Sequence, residues 1–430
     1  MKHIKNIFYM LSVQLANYAF PIITIPIVSR VFGPEKIGLI NYIAAVIAYF
    51  SLLVSYSFNF TGVRRITRNR DKAKEIFSII FATQGVILIF CCLIFALFLF
   101  VLKDFRENFY LSVITFSSCI SMLFTQNWFL QANNDFKLIA KISFLSKLLS
   151  FVLILLLIKN PSDILIYAAI LNVTNLMTAM VVFFIVIKKY NINLKLPRLS
   201  SCMLYLKEDR NLFFSSVVTN VYTTTGIVIL GALGTKIDVG YYTSAQKLID
   251  VTRSIVLMPI TQIIFPLLSE KFGKNQKEGI LAVRKLMPTF ILISVAVLIS
   301  INLFRDVIVR VIFGEQFMAV IPLITILSFG LFAVFYGVII GGQVMLNLGL
   351  DRAFLNIQII ISVISLIVNA IAIPKGGAIV TASVWSISEI IISLYQIIYL
   401  KRLGITVLTW KMLSITEIIG SVKYVFKKDN

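Results

Sequence analysis

Histidine is nearly missing from this chain. The single one, His3, stands in the N-terminal tail of a 430-residue protein. Histidine-based catalysis and histidine metal sites therefore have no residue to use in its interior. Cysteine is scarce too. Cys91, Cys92, Cys119 and Cys202 show no metal-ligand spacing and no redox motif. Three of them lie in apolar runs, so buried free thiols are expected, with no metal and no cofactor. Charge is thin: 14% of residues are charged, against about 25% in soluble domains. Acid is the scarcer sign, with 19 Asp and Glu against 40 Lys and Arg.

Apolar residues fill the space. They make up 59% of the chain, and the mean hydropathy is +0.94. A water-soluble core cannot hide that much apolar surface, so the solvent must be lipid. Only helices and closed barrels satisfy their backbone there. The apolar runs are long and do not alternate, which predicts an all-α integral membrane protein. A span takes about 20 apolar residues. Twelve candidates lie near 7–31, 39–60, 76–102, 109–130, 141–158, 163–187, 212–233, 240–266, 286–304, 318–341, 355–373 and 377–400. The first follows a basic tail, as a signal peptide would. Its length and the lack of a small-residue cleavage site predict a retained helix.

Lys and Arg fix the expected orientation. With the N-terminus inside, the connecting segments and tails on the inner side hold 28 basic residues, those on the outer side 9, and the spans 3. This predicts N-in and C-in with an even span count. The net charge of +21 then reflects inner loops facing anionic lipid headgroups. Membrane lipids are the expected partners. Nucleic acid is not, because the cations are scattered over membrane-flanking loops rather than gathered on one domain.

The longest inner loop divides the chain. The expected organisation is a six-helix lobe over 1–190, a cytoplasmic linker over 191–211, a second six-helix lobe over 212–402 and a cytoplasmic tail over 403–430. In the tail, Lys411, Ser414, Glu417, Ser421 and Lys427–Lys428 recur at helical spacing, with Trp410, Leu413, Ile418 and Val422 between them. That predicts an amphipathic helix on the inner leaflet. The two halves echo each other: "VFGPEKIGLIN" at 31–41 and "ALGTKIDVGYY" at 232–242 each place a Gly, a short polar turn and a second Gly after the first span of their half. Such halves would be parallel repeats.

Several motifs carry a resemblance. "PIVSRVFGPEKIG" at 26–38, "QNWFLQANNDFKLIA" at 126–140, "GYYTSAQKL" at 240–248, "IFGEQF" at 312–317 and "GGQVMLNLG" at 341–349 occur in order along the chain. Together they resemble the bacterial polysaccharide flippases, the Wzx-type O-antigen and capsule exporters of the multidrug/oligosaccharidyl-lipid/polysaccharide superfamily. The family's usual Asp before Trp128 is Asn127 here, which weakens any charge role at that position. The resemblance implies two six-helix lobes around a central cavity. It implies alternating-access transport of an undecaprenyl-pyrophosphate-linked sugar repeat from the inner to the outer leaflet of the bacterial plasma membrane. The polysaccharide polymerase machinery is an implied partner.

Polar residues at bilayer depth are the candidate transport residues, because charge there is costly and faces a partner or a wet cavity. Gln246, Asp250 and Arg253 fall at i, i+4 and i+7 on one helical face, with Lys247 three residues before Asp250. Arg253 lies near mid-span, and a guanidinium there suits a pyrophosphate, whose oxygens it binds bidentately. Arg30, just before the Gly-Pro corner, is a further candidate substrate contact. Glu389, in the last span, and Asp250 are candidate ion-coupling carboxylates. Gln14, Asn17, Lys147 and Gln246 are candidate cavity lining. Pro21 and Pro26 make the first span a candidate bending element. Three functions compete. A flippase comes first, then a cation-coupled drug exporter of the same superfamily, whose cationic substrates would need an acidic lining. A membrane glycosyltransferase or polymerase comes last. The outer loops are short and contain no His or paired carboxylates, so an enzyme is not expected.

Overall fold

The computed structural model describes residues 2–409, 412 and 414–426, and at some of these, Gln14 and Tyr18 among them, the backbone alone. Of the expected tail, Trp410, Lys411, Leu413 and Lys427–Lys428 lie outside the described residues. Every regular element described is helical. In order these are α1 (Lys2–Ser55), α2 (Phe58–Arg68), α3 (Ala73–Val101), α4 (Lys103–Glu107), α5 (Phe109–Phe124), α6 (Asn127–Ala132) and α7 (Phe136–Leu157). Then come α8 (Ile164–Tyr190), α9 (Leu199–Leu233), α10 (Lys236–Lys274), α11 (Gln276–Ile312), α12 (Ile321–Gly337), α13 (Asp351–Arg402) and α14 (Ile415–Phe426). A π-helical stretch, Val338–Met345, continues α12.

Among the described residues nine helices are long and apolar enough to cross a membrane, or ten if the bent pair Leu199–Val218 and Asn220–Leu233 is one span. Two of these are far too long for one crossing. At about 1.5 Å per residue, the 54 residues of α1 and the 52 of α13 exceed the roughly 30 Å hydrocarbon thickness more than twofold. Each is broken once, at a glycine. Gly33 has φ 67° and ψ 177°, and Gly377 has φ 50° and ψ −132°. Both are left-handed-side conformations that a Cβ disfavours. Pro34 reinforces the first break: it disfavours the helical region at Gly33 and starts the next segment with its φ preset. Gly33 falls in the gap expected between the first two spans, and Gly377 at the expected start of the last one. Pro21 and Pro26, expected to bend the first span, sit in helical backbone, and the departure from helical φ/ψ inside α1 is at Gly33.

Exposure on α3 identifies the solvent. Phe90, Leu93, Leu97 and Phe100 are each more than half exposed. Only 17% of the most apolar window of that helix is buried. Water would not tolerate such a surface; hydrocarbon does. The protein is a multi-pass membrane protein.

The chain divides into two compact units, Met1–Val228 and Ile229–Asn430. The division thus falls inside α9, and the stretch 191–211 expected as a linker is helical from Leu199 onward. The first unit has two apolar clusters. One joins α2, α3, α6 and α8 through Phe58, Phe77, Trp128, Phe129 and Phe183. The Phe77 and Trp128 rings are 6.0 Å apart and stacked, and Gly62 of α2 leaves the space that Trp128 fills. The other cluster joins α1, α7 and α8 beside the Gly33 corner through Val28, Phe32, Ile154, Ile158 and Ile170. All four cysteines are free thiols.

In the second unit, α12 packs on the latter half of α13 through small residues. Ser386 and Ser393 donate to the carbonyls of Ile326 and Ala333, at 2.8 and 2.7 Å. A Cβ at Gly330 would collide with the Trp385 ring, so glycine sets the approach there. Close contact through small residues, with hydroxyls bonding across, is how helices associate in lipid.

The tail departs from expectation. Ser421 was placed on the polar face of a surface helix, but it is 4% exposed. Its Oγ accepts from the Thr289 N–H at 3.2 Å and lies 2.6 Å from the Thr289 hydroxyl. The reason lies one residue earlier in α11. Pro288 has no N–H to give the preceding turn, and the neighbouring polar backbone is met by α14. Arg284 Nε donates to the Thr406 carbonyl at 2.6 Å, holding the chain that leads to α14.

Candidate functional site

The first unit encloses a cavity of about 360 Å³ walled by α1, the α5–α6 corner, α7 and α8. One face of α7 supplies Ser143, Ser146, Lys147 and Ser150. These fall at i, i+3, i+4 and i+7, so they share a side. Asn17 and Thr24 come from α1, Asn127 and Gln131 from α6, and Asn175 and Thr178 from α8. Thr178 donates to Ser146 Oγ at 2.7 Å and is also within 2.7 Å of the Thr174 carbonyl, tying α8 to α7. Thr24 returns its hydroxyl to the Pro21 carbonyl at 3.1 Å. The remaining walls are apolar, with Phe20, Phe151 and Ile154 among them.

Among the described residues this is a pocket of hydroxyls and amides with one cation, Lys147. No carboxylate lines it among the described residues. Asn127 matters here. It stands in the cavity wall at the position where the resembling family carries Asp, so this chain lacks the one acid the pattern would have placed there. Its neighbour Trp128 is turned the other way into the core and is 2% exposed. The "QNWFLQANNDF" stretch therefore splits its duties: Asn127 and Gln131 face the cavity, while Trp128 and Phe129 anchor the corner. Asp135 takes the Lys189 ammonium at 2.5 Å, fixing α7 to the end of α8.

Asn17 and Lys147, both read as candidate lining, meet in this cavity. The Gln14 side chain lies outside the described residues. Arg30 is exposed three residues before Gly33, is partnered within the fold, and is not among the residues lining the cavity. In the second unit α10 begins with a buried stripe. Val239, Tyr242, Ala245 and Ile249 are buried in the core. Lys247, Asp250 and Arg253 are exposed and Gln246 is half-buried, although Arg253, four residues after Ile249, continues the same side one turn further on. Lys247 and Arg253 are the charges that bear on the Asp250 carboxyl. Such a cluster is costly to present to hydrocarbon unpaired. Glu389 is half-buried between Ser386 and Ser393 on the face of α13 that meets α12, and it is partnered within the fold.

The reading from sequence missed Asn127, Gln131, Thr178 and the α7 serines. The serine signal was present: small polar residues at one-face spacing within an otherwise apolar span. The seam at Gly330, Ser386 and Ser393 escaped for a different reason, since hydroxyls that bond backbone carbonyls leave no motif.

The family model described as polysaccharide biosynthesis protein matches residues 3–272. A protein of Escherichia coli (strain K12) named putative O-antigen transporter is 26% identical over 369 residues, covering 84% of this chain and 88% of its own length. A protein of Shigella dysenteriae with the same name is 26% identical over 284 residues, covering 65% and 71%. Among solved structures the chain is similar to the lipid II flippase MurJ in an inward closed conformation. The TM-score is 0.73 at 15% identity, over 99% of this chain and 94% of that one. It is also similar to an inward-facing multidrug resistance MATE family transporter of the MOP superfamily. There the TM-score is 0.63 at 16% identity, over 91% and 94%. At such identities these likenesses show the fold, an all-α membrane architecture.

Proposed function

The chain belongs to the polysaccharide biosynthesis protein family, and from that premise we propose that it carries a lipid-linked oligosaccharide from the inner to the outer leaflet of the bacterial plasma membrane. The observation that carries this reading is the cavity of the first unit, lined by hydroxyls and amides, where among the described residues Lys147 is the one cation and there is no carboxylate. Sugars are held by hydroxyl and amide hydrogen bonds. A diphosphate needs cations, and an acid-lined site would repel it. At about 360 Å³ the cavity lies near the lower end of the roughly 300–1,000 Å³ usual for ligand sites. It has room for part of a headgroup, not for a whole lipid.

In this reading the substrate is an undecaprenyl-diphosphate-linked repeat unit bound for O-antigen, capsule or another surface polysaccharide. Lys147 and Asn17 meet its headgroup. Lys247 and Arg253 on the exposed face of α10 offer further diphosphate contacts, and Asp250 leaves that face about one net positive charge. Arg30 is a cationic stop near the Gly33 corner, and Glu389 is the candidate coupling carboxylate with Asp250. Counting α1 and α13 as two spans each brings the ten apolar segments to twelve, with both termini inside. The likeness to multidrug transporters bears on fold. A drug exporter for cations would need acid in its lining, and the cavity of the first unit has none among the described residues.

Deletion followed by analysis of lipid-linked intermediates tests the reading. Complete repeat units should accumulate on the inner leaflet. Normal surface glycan together with drug hypersensitivity would refute it.

A further inference from the structure

A second cavity of the first unit, about 450 Å³, opens where α2 runs into the turn at 69–72 and α9 covers its side. Arg64, Arg65, Arg68, Asn69 and Lys72 line it, with Tyr205 and Glu208 opposite. Its floor is fixed. Arg65 donates to both oxygens of Asp209, at 3.0 and 2.9 Å, and to Glu208 at 2.8 Å, while its guanidinium lies 3.9 Å over the Tyr205 ring. The Asp209 side chain has no exposure, so this pair is a buried brace between α2 and α9.

The brace uses up the acid but not the cations. Arg64 comes only to 4.0 Å of Asp209, and its side chain is 57% exposed. Arg68 and Lys72 are exposed as well. Four cations around the pocket against Glu208, Asp209 and Glu75, which also bears on Tyr205, leave an excess of about one positive charge. The C-terminal end of a helix tolerates cations, but that preference does not gather them around a concavity.

The surroundings say what kind of anion fits. Phe60, Arg64 and Arg68 fall at i, i+4 and i+8 on α2, so a phenyl ring that is 69% exposed stands in line with two guanidinium groups. On the adjoining stretch of α9, Leu199, Met203 and Leu204 are each more than half exposed. Apolar side chains running up to a cluster of cations, with a tyrosine between, form the pattern of the boundary between acyl chains and headgroups. We infer that this pocket binds the phosphate of a membrane-lipid headgroup, at a site separate from the serine-lined cavity. Arginine gives a phosphate paired donors and lysine adds a point charge. The same chemistry would take a bulk anionic phospholipid or the diphosphate of a carrier lipid.

Native mass spectrometry of the delipidated full-length protein in detergent tests this. The titrants are phosphatidylglycerol, undecaprenyl diphosphate and inorganic pyrophosphate. The variant R68Q/K72Q leaves the Arg65–Asp209 brace intact, and K137Q/K141Q removes the same charge elsewhere in the unit. Wild type and K137Q/K141Q should bind lipid saturably. R68Q/K72Q should bind about tenfold or more weakly, the loss of at least one charge-assisted bond, with its thermal midpoint unchanged. The lipid whose binding R68Q/K72Q weakens identifies the source as the carrier or bulk phospholipid, and a loss for both with mutual competition identifies a shared phosphate site. Equal binding by both variants, or binding of pyrophosphate with no saturable lipid binding, would overturn the inference.

Discussion

Lys36 donates from its ammonium to the Pro161 carbonyl, 2.6 Å away. The bond ties the corner after Gly33 to the corner between α7 and α8. The second unit has its own version. Asp238 accepts from the Ala378 N–H in a long bond of 3.4 Å, tying the α9–α10 corner to the break at Gly377. Lys36 and Asp238 each stand two residues before the second glycine of the echoed turn. The repeat faintly visible in the letters is therefore one of position and task, with the chemistry changed from a lysine donor to a carboxylate acceptor.

Those corners predict where glycine is required. Gly33→Ala should destabilise by about 1–3 kcal/mol, because its backbone conformation suits glycine alone. Gly377→Ala should cost more, since a Cβ there would also stand 2.9 Å from the Asp238 carboxyl. Gly85→Ala, where a Cβ meets nothing within 4 Å, should be neutral or stabilise by about 0.5–1 kcal/mol. Thermal unfolding in one detergent gives the order.

The Arg65–Asp209 brace should behave as a coupled pair. Asp209→Ala strands a mostly buried guanidinium and should cost about 3 kcal/mol, as should Arg65→Ala. The double variant should cost clearly less than the two losses added, read as a coupling in a double-mutant cycle of unfolding midpoints.

Charge in the serine-lined cavity should set activity. Lys147→Gln should lower transport roughly tenfold or more, the loss of one charge-assisted bond, and Lys147→Arg should retain part of it. Restoration of surface glycan in a deletion strain, normalised to protein in the membrane, reads both.

Ser421→Val should loosen the docking of α14 without disturbing α11. The expected result is faster hydrogen exchange in residues 415–426, with the Thr289 region changed only locally.

Much of the architecture was legible because lipid imposes a coarse rule. Long apolar runs gave helices, and Gly33 with Pro34 marked a corner whatever the neighbours. The charged face of α10 was readable from the spacing of Gln246, Asp250 and Arg253. What stayed hidden depended on partners far along the chain. Nothing local shows that Ser421 will meet Thr289 beside Pro288, so it was assigned to a polar surface. Lys147 could have snorkelled to headgroups; only the packing of α1, α6 and α8 around α7 puts it in a cavity wall. Locally Arg64, Arg65 and Arg68 are only part of the basic stretch before α3, because the carboxylate that sorts them, Asp209, is 144 positions beyond Arg65.

The most direct measurement of the account is leaflet transfer in proteoliposomes that contain only this protein and a fluorescent undecaprenyl-diphosphate-linked oligosaccharide. Transfer should be fast with wild type and nearly lost with Lys147→Glu, while that variant reconstitutes to the same level. Equal transfer by wild type and Lys147→Glu, or export of cationic dyes in place of the lipid-linked sugar, would contradict it.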